Sequence, residues 1–408
     1  MGQEPSTRIA VVAAADFDAL IFSKPLCQEL ARCGYEKLYT FSPVGAYTEE
    51  LKTIPGTHIP IPMERFVAPA ADLRYLFRIY RHLRRGQFDT VITFTTKPNI
   101  YAAPMARLAG ARQVVLAVRG LGATFSRGNT IRERLVYAIA QRLYRTACHL
   151  GTWVWFTNRN DLSIFLNRRY VTPKRSLLTK NAIDLEIFGS DISPSRLEQL
   201  REELKMAARE RAVIMVARLI WSKGVGEFVE AAKLLAKRIP WIRFLLVAPH
   251  EPGSPGTVPE EYIRAAECSA NFTWLGFRKN VVELYELADL AVLPSYYKEG
   301  GYPRALLEPM ARGRPVIAAD TEDCRGPVEH GRNGYLIPPK NPHALAETIE
   351  KIMTDRELAK QFGRRSLEKV RAEFDVRTVA REVLRGLGLI NEYRAQDRAQ
   401  LAAVGFDD

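Results

Sequence analysis

Two glutamates, Glu299 and Glu308, flank two glycines and a proline in the stretch Pro294-Ser-Tyr-Tyr-Lys-Glu-Gly-Gly-Tyr-Pro-Arg-Ala-Leu-Leu-Glu-Pro-Met-Ala-Arg-Gly-Arg-Pro-Val-Ile-Ala-Ala-Asp320. The apolar run Leu290 to Leu293 reads as a strand and the residues around Gly300 and Gly301 as a loop. A helix is expected from near Pro303, and Pro315 to Ala318 reads as the next strand. Glycine lets a ligand approach the main chain closely, and unpaired N–H groups at a helix start attract phosphate. Pro303 suits the first helical position, where no donor is missed. Pro309, just inside the helix, removes a main-chain bond and is expected to cost about 3 kcal/mol or to kink the turn. Carboxylates beside a phosphate site are placed to accept hydrogen bonds from sugar hydroxyls. A nucleotide sugar has both parts. The plain alternative is a solvated loop acid and an acid on a helix face.

The pattern resembles the retaining glycosyltransferases of family 4, whose signature is E-G-x-P-x-x-x-x-E followed by A-x-G-x-P-V-I. Glu299 and Glu308 take the two acid positions, followed by Ala311, Gly313, Pro315, Val316 and Ile317. Cys324-Arg-Gly-Pro-Val-Glu329-His-Gly-Arg-Asn-Gly334-Tyr-Leu-Ile-Pro-Pro339 is similar to the family's C-R-E-x-V-x-x-G-x-N-G-x-L-V-P-P. Upstream, Val216-Ala-Arg218-Leu-Ile-Trp-Ser-Lys223-Gly224 matches its G-R-L-x-x-x-K-G element. One departure is an extra residue in Gly300-Gly301-Tyr302, which lengthens the usual seven-residue spacing between the acids to eight.

The resemblance implies an α/β protein of the GT-B type: two Rossmann-like domains, a cleft between them and a C-terminal helix crossing back to the first. It implies that Arg218 and Lys223 neutralise the diphosphate of a sugar donor and that Glu299 contacts the donor sugar, which makes these three the candidate catalytic residues. Glu308 would hold the ribose hydroxyls. Main-chain groups of Gly300, Gly301, Tyr302, Arg304, Ala305 and Leu306 would approach sugar and diphosphate. Phe277 and Arg278 lie where the family receives the base, although a core role for Phe277 stands beside stacking. In the first domain, Val118-Arg119-Gly120-Leu121-Gly122 and Thr95-Thr-Lys97-Pro98-Asn99 look like members that extend sugars on polyprenyl diphosphate. Lys97, Asn99, Arg119 and Gly120 are therefore candidate acceptor residues, with a structural arginine as the other reading of Arg119. Neither metal nor cofactor is implied, because retaining members are expected to use the leaving phosphate to deprotonate the acceptor.

Composition sets the frame. The 408 residues, 47% hydrophobic and 26% charged, suit a globular chain of two or three domains. No apolar run reaches the length of a spanning helix, and the N-terminus lacks the pattern of a secretory signal. Met1-Gly2-Gln-Glu-Pro-Ser6 fits a myristoylation pattern that arises often by chance. The five cysteines, Cys27, Cys33, Cys148, Cys268 and Cys324, form no C-x-x-C and read as reduced thiols of a cytosolic protein. A net charge of +13 asks for an acidic partner. No zinc-finger spacing, RNA-binding aromatic motif or basic tail supports nucleic acid.

Strand-like runs at Arg8–Ala15, Thr90–Phe94, Gln113–Val118 and Thr152–Phe156 alternate with helical stretches, the first of them Phe22–Cys33 closed by Gly34. A second series runs through Ala212–Val216, Phe244–Ala248, Phe272–Leu275, Leu290–Leu293 and Pro315–Ala318. Such alternation predicts two parallel sheets covered by helices. Domains are expected at 1–185 and 186–375, with 376–408 as the returning helix (Val376 to Tyr393) and tail. Leu73 to Leu83, with Arg74, Arg78 and Arg81 among large apolar residues, and Ile131 to Tyr144, with Arg132, Arg134 and Arg142, read as basic amphipathic helices suited to an anionic membrane surface. The expected reading is a cytoplasmic-face hexosyltransferase. It uses a UDP-sugar and a lipid-linked glycan acceptor in bacterial surface polysaccharide or glycan assembly. A GT-B nucleotide-sugar epimerase and a catalytically silent GT-B scaffold are the rivals.

Overall fold

A computed structural model describes residues 7–64, 67–120, 131–251, 253, 255–268, 271–299 and 301–390, with the side chains of 131–133 left out. The described residues form two compact units. One takes the chain up to Thr179 and again from Arg377; the other is Lys180–Val376.

The first unit holds a parallel sheet of β1 (Ile9–Val12), β2 (Leu38–Ser42), β3 (Thr57–Pro60), β4 (Thr90–Phe94), β5 (Gln113–Val118), β6 (Trp153–Phe156) and β7 (Ser176–Leu178), in the order β3-β2-β1-β4-β5-β6-β7. The second holds β8 (Arg211–Val216), β9 (Ile242–Val247), β10 (Phe272–Gly276), β11 (Leu290–Leu293), β12 (Val316–Ala319) and β13 (Gly334–Ile337), in the order β10-β9-β8-β11-β12-β13. Helices cover both faces, so the central strands are largely apolar: β1 and β11 are so throughout, while β4 carries the buried Thr90 and Thr93. In β8 the two-residue period divides the core: Val213 and Met215 pack on one side, Ala212 and Ile214 on the other.

β2, β3, β7 and β13 were not legible as strands. β3 is an edge strand ending on Pro60, where a missing donor is tolerated, and its residues are exposed or half-buried. The first helix is shorter than expected, Lys24–Arg32, because the residues before it, Ala19–Ser23, form a π-helical turn. Pro303 is not the first helical residue but the one before it, extended at ψ 126°, and the helix runs Arg304–Ala311. Pro309 sits two residues from that helix's end, so the break it causes coincides with termination.

The segment Val376–Gly386 is helical and packs with the first unit, as the GT-B resemblance implies; residues beyond 390 lie outside the described ones. The Tyr35 hydroxyl donates to the Leu389 carbonyl at 2.6 Å and Gln113 Nε2 to the Leu387 carbonyl at 2.7 Å. Where the chain enters and leaves the second unit, the Ile183 N–H donates to the Phe374 carbonyl at 2.8 Å and the Val376 N–H to the Ile183 carbonyl at 3.0 Å.

Candidate functional site

In an open parallel sheet, ligands bind beyond the carboxyl ends of the strands where the strand order reverses. In the second unit that point lies between the paired strands β8 and β11. The loop after β8 carries Arg218 and Lys223, and the loop after β11 carries Glu299. The expected catalytic residues thus meet at the switch point of the second sheet.

The two loops are held together tightly. The Tyr296 N–H donates to the Ser222 carbonyl at 3.0 Å. Lys223 Nζ forms an ion pair with Glu299 Oε2, and Ser295 Oγ donates to Glu299 Oε1 at 2.5 Å. The side chains of Lys223 and Glu299 are only 11% and 8% exposed. A pair so withdrawn from water persists only when both charges are fully engaged. Tyr297, unremarked in the sequence, lies between the cations: its ring centre is 5.1 Å from Arg218 Cζ and 4.8 Å from Lys223 Nζ. Arg218 has no acidic partner among the described residues, so its two-pronged donor is available to an anion, whereas Lys223 is already paired.

Glu308 lies on the Arg304–Ala311 helix, one turn beyond Arg304, whose Nε donates to Glu308 Oε1 at 3.1 Å. Burial pushes its carboxyl above the ordinary value, with Arg304 and the Tyr285 hydroxyl opposing the rise. The Tyr285 hydroxyl is itself raised well above its usual range by burial and then by Glu308. A desolvated acid held by one arginine is a strong acceptor for a neutral hydroxyl pair.

The glycine loop differs from expectation. The N–H groups of Glu299 and Gly301 each donate to the carboxylate of Asp323, both at 2.8 Å. Asn181 Nδ2 donates to the carbonyls of Gly301 at 2.5 Å and Tyr302 at 3.2 Å. Gly301 therefore offers no free amide to a ligand; the amides of Arg304 and Ala305 have no partner among the described residues. Leu306 is turned inward: its amide bonds to the Pro303 carbonyl and its side chain is in the core. Tyr302, at φ +41°, packs against Phe374 with ring centres 5.3 Å apart. Gly300 lies outside the described residues. Asp323 and Asn181 carried no recognisable signal, because their role is set by distant main chain rather than by neighbours in sequence.

Phe277 follows β10 at the same end of the sheet and is 59% exposed, which removes the core reading. Arg278 is committed to protein partners, Glu203 Oε1 at 2.5 Å and Asn280 Oδ1 at 3.1 Å.

In the first unit the acceptor candidates divide. Asn99 is fully buried and holds the core together: Nδ2 donates to the Ala117 carbonyl at 3.0 Å and to the Tyr144 hydroxyl at 2.9 Å, while Thr93 Oγ1 donates to its Oδ1 at 2.7 Å. It has no face for an acceptor. Lys97 bonds to Asp72 Oδ1 at 2.6 Å and to the Glu64 carbonyl at 2.7 Å, joining two helices. Arg119, directly after β5, stacks with its Cζ 4.2 Å from the Phe22 ring centre and 5.3 Å from that of Trp155. Gly120 adopts φ +109°, a conformation that favours glycine. Among the described residues no cluster of three or more His, Cys, Asp or Glu could hold a metal, and no helix is long and apolar enough to cross a membrane.

The two parallel sheets, with the switch-point site in the second, have the GT-B architecture. The family described as "Glycosyl transferases group 1" matches residues 197–369, and "Glycosyl transferase 4-like domain" matches residues 23–152. The chain belongs to this glycosyltransferase family. It is 24% identical over 379 residues, 93% of its length and 97% of the relative's, to N,N'-diacetylbacillosaminyl-diphospho-undecaprenol alpha-1,3-N-acetylgalactosaminyltransferase of Campylobacter jejuni. It is 26% identical over 297 residues, 72% of this chain and 74% of the relative, to UDP-Gal:alpha-D-GlcNAc-diphosphoundecaprenol alpha-1,3-galactosyltransferase of Escherichia coli. Among solved structures, Anabaena Alr3699/HepE in complex with UDP and glucose superposes with a TM-score of 0.77 at 20% identity, covering 94% of this chain and all of that one. That likeness concerns the fold.

Proposed function

We propose that the protein transfers a hexose or N-acetylhexosamine from a UDP-sugar to a polyprenyl-diphosphate-linked glycan, with retention of anomeric configuration. The observation that carries this reading is the meeting of Arg218, Lys223 and Glu299 at the switch point, with Glu308 on the adjoining helix. Breaking the anomeric C–O bond leaves negative charge on the diphosphate, and preset cations stabilise it where it develops. Arg218 takes the diphosphate directly, while Lys223 shares its charge between phosphate and Glu299. Glu308 accepts from the ribose hydroxyls and Phe277 offers a face to the base. In a same-face reaction the departing phosphate oxygen accepts the acceptor hydroxyl's proton. The names of the Campylobacter and Escherichia relatives support a diphospho-undecaprenol acceptor, and the latter supports a UDP-linked donor.

The first unit has a surface suited to such an acceptor. The Pro69–Gly86 helix exposes Leu73 (68%) and Phe77 (66%) beside Arg74, Arg78, Arg81 and Arg85. The Ile131–Leu150 helix exposes Leu135, Val136, Ile139 and Leu143 beside Arg134, Arg142 and Arg145; the side chain of Arg132 lies outside the described ones. A cavity of 520 Å³ beside the first helix is lined by Phe77, Arg78, Arg81, His82 and Arg85, and these arginines have no acidic partner among the described residues. Burial lowers the His82 pKa, and Arg81 and Arg85 lower it further. Apolar side chains that enter the lipid beside arginines that meet phosphates support peripheral attachment to the inner face of the cell membrane.

The test is a panel of radiolabelled nucleotide sugars offered with a short-chain polyprenyl-diphosphate sugar, the product being extracted into organic solvent and its new linkage read by NMR. Label in an α-linked lipid product from a UDP-sugar supports the reading. Turnover only with a soluble acceptor, or only with another nucleotide, overturns it.

A further inference from the structure

We propose that Asp323 is a positioning residue for donor recognition, present because the glycine loop is one residue longer than its family's pattern. This rests on the reading of that loop as the donor-sugar site. A turn one residue longer brings one more main-chain N–H into a half-buried region, and it must find an acceptor or lose stability. Asp323, in the segment after β12, supplies that acceptor and fixes the preceding acid as well: one oxygen takes the Gly301 amide, the other the Glu299 amide, each at 2.8 Å.

The loop is fixed from three directions. Asp323 holds its amides, Asn181 holds the carbonyls of Gly301 and Tyr302, and Lys223 with Ser295 holds the carboxylate of Glu299. Ordinarily a glycine turn ahead of a helix lends its amides to an anion. Here a protein carboxylate occupies those of Glu299 and Gly301. Two consequences follow. The donor's anionic part is left to Arg218 and to the open amides of Arg304 and Ala305. The direction of the Glu299 side chain becomes dependent on Asp323, because the residue that contacts the sugar is anchored at its own N–H.

The experiment compares Asp323→Ala, Asp323→Asn, deletion of Gly301, and the deletion combined with Asp323→Ala. Two readouts are taken: amide hydrogen exchange of the segment around Glu299, and KM for UDP-sugar alongside KM for the lipid acceptor. Asp323→Ala should remove protection at Glu299 and Gly301 and raise the donor KM about tenfold or more, since charge-assisted bonds are lost. The acceptor KM should stay unchanged. Asp323→Asn, with one oxygen left to accept, should fall between. The decisive result is the combination. With Gly301 removed the loop returns to the shorter spacing, so the added Asp323→Ala should change the donor KM by less than about threefold, within the non-additivity expected of coupled sites.

Fully additive effects would overturn the proposal, as would Asp323→Ala proteins with unchanged exchange protection. If the wild type bound no UDP-sugar while Asp323→Ala still lost protection, the donor reading would fall and the anchoring of the loop would stand.

Discussion

Gly224 lies so close to Pro294 that a Cβ on it would stand 2.4 Å from the Pro294 carbonyl oxygen. Gly224 also adopts φ +83°, a region where side chains are strained. This contact sets the distance between the loop bearing Arg218 and Lys223 and the loop bearing Glu299. Gly224→Ala should therefore force the loops apart, destabilise the fold by about 1–3 kcal/mol, and weaken UDP-sugar binding. Thermal melts and calorimetry on the same variant check both parts. Wild-type affinity would show that the loops' spacing is not what binds the donor.

Removing one partner of the Lys223–Glu299 pair leaves an uncompensated buried charge. Glu299→Ala and Lys223→Ala should each cost about 3 kcal/mol of stability. The double variant should lose much less than the sum, because no lone charge remains. Denaturant unfolding of the four proteins measures the coupling.

Glu308 gives a pH prediction with a definite sign. Burial holds its folded-state pKa above the ordinary 4.5. The folded protein then binds this proton more tightly than the unfolded chain, so the group's stabilising contribution is complete below the ordinary value. It is lost as pH rises through the raised one. Glu308→Gln should flatten that decline in melting temperature. Donor affinity should follow the opposite course in the wild type, rising with pH as the carboxylate ionises to accept ribose hydroxyls. Glu308→Ala should weaken donor binding by about 1–3 kcal/mol. Calorimetry across the acidic range tests all three.

On the proposed reading Arg218 and Lys223 supply the positive charge that the leaving diphosphate needs, so EDTA should leave turnover unchanged and the product should keep the donor's anomeric configuration. Product NMR and a chelator titration decide it; an inverted linkage would refute the same-face mechanism.

Charge reversal at Arg78, Arg81, Arg134 and Arg142 should abolish sedimentation with anionic vesicles at low salt, each cation contributing about 1 kcal/mol. Donor binding in the second unit should survive. Wild-type protein that stays in the supernatant would remove the membrane reading.

The class of the protein was legible in residue order alone. Alternating apolar runs and helical stretches gave two parallel sheets, because strands buried on both faces must be apolar throughout. The order of Arg218, Lys223, Glu299 and Glu308 within motifs pointed to a donor site, since such motifs are local main-chain solutions that residue types reveal. Edge strands such as β3 were hidden, because their partly exposed residues carry no continuous apolar signal. Which groups are free depends on packing between distant segments. Asn99 and Lys97 looked like acceptor residues, yet one is sealed in the core and the other is tied to Asp72. Phe277, undecided in sequence, is out in solvent, while Asp323, without a local pattern, accepts from two amides of the glycine loop. Partner choice for a polar side chain depends on segments far away in sequence, and spacing cannot report a hydrogen bond made between them.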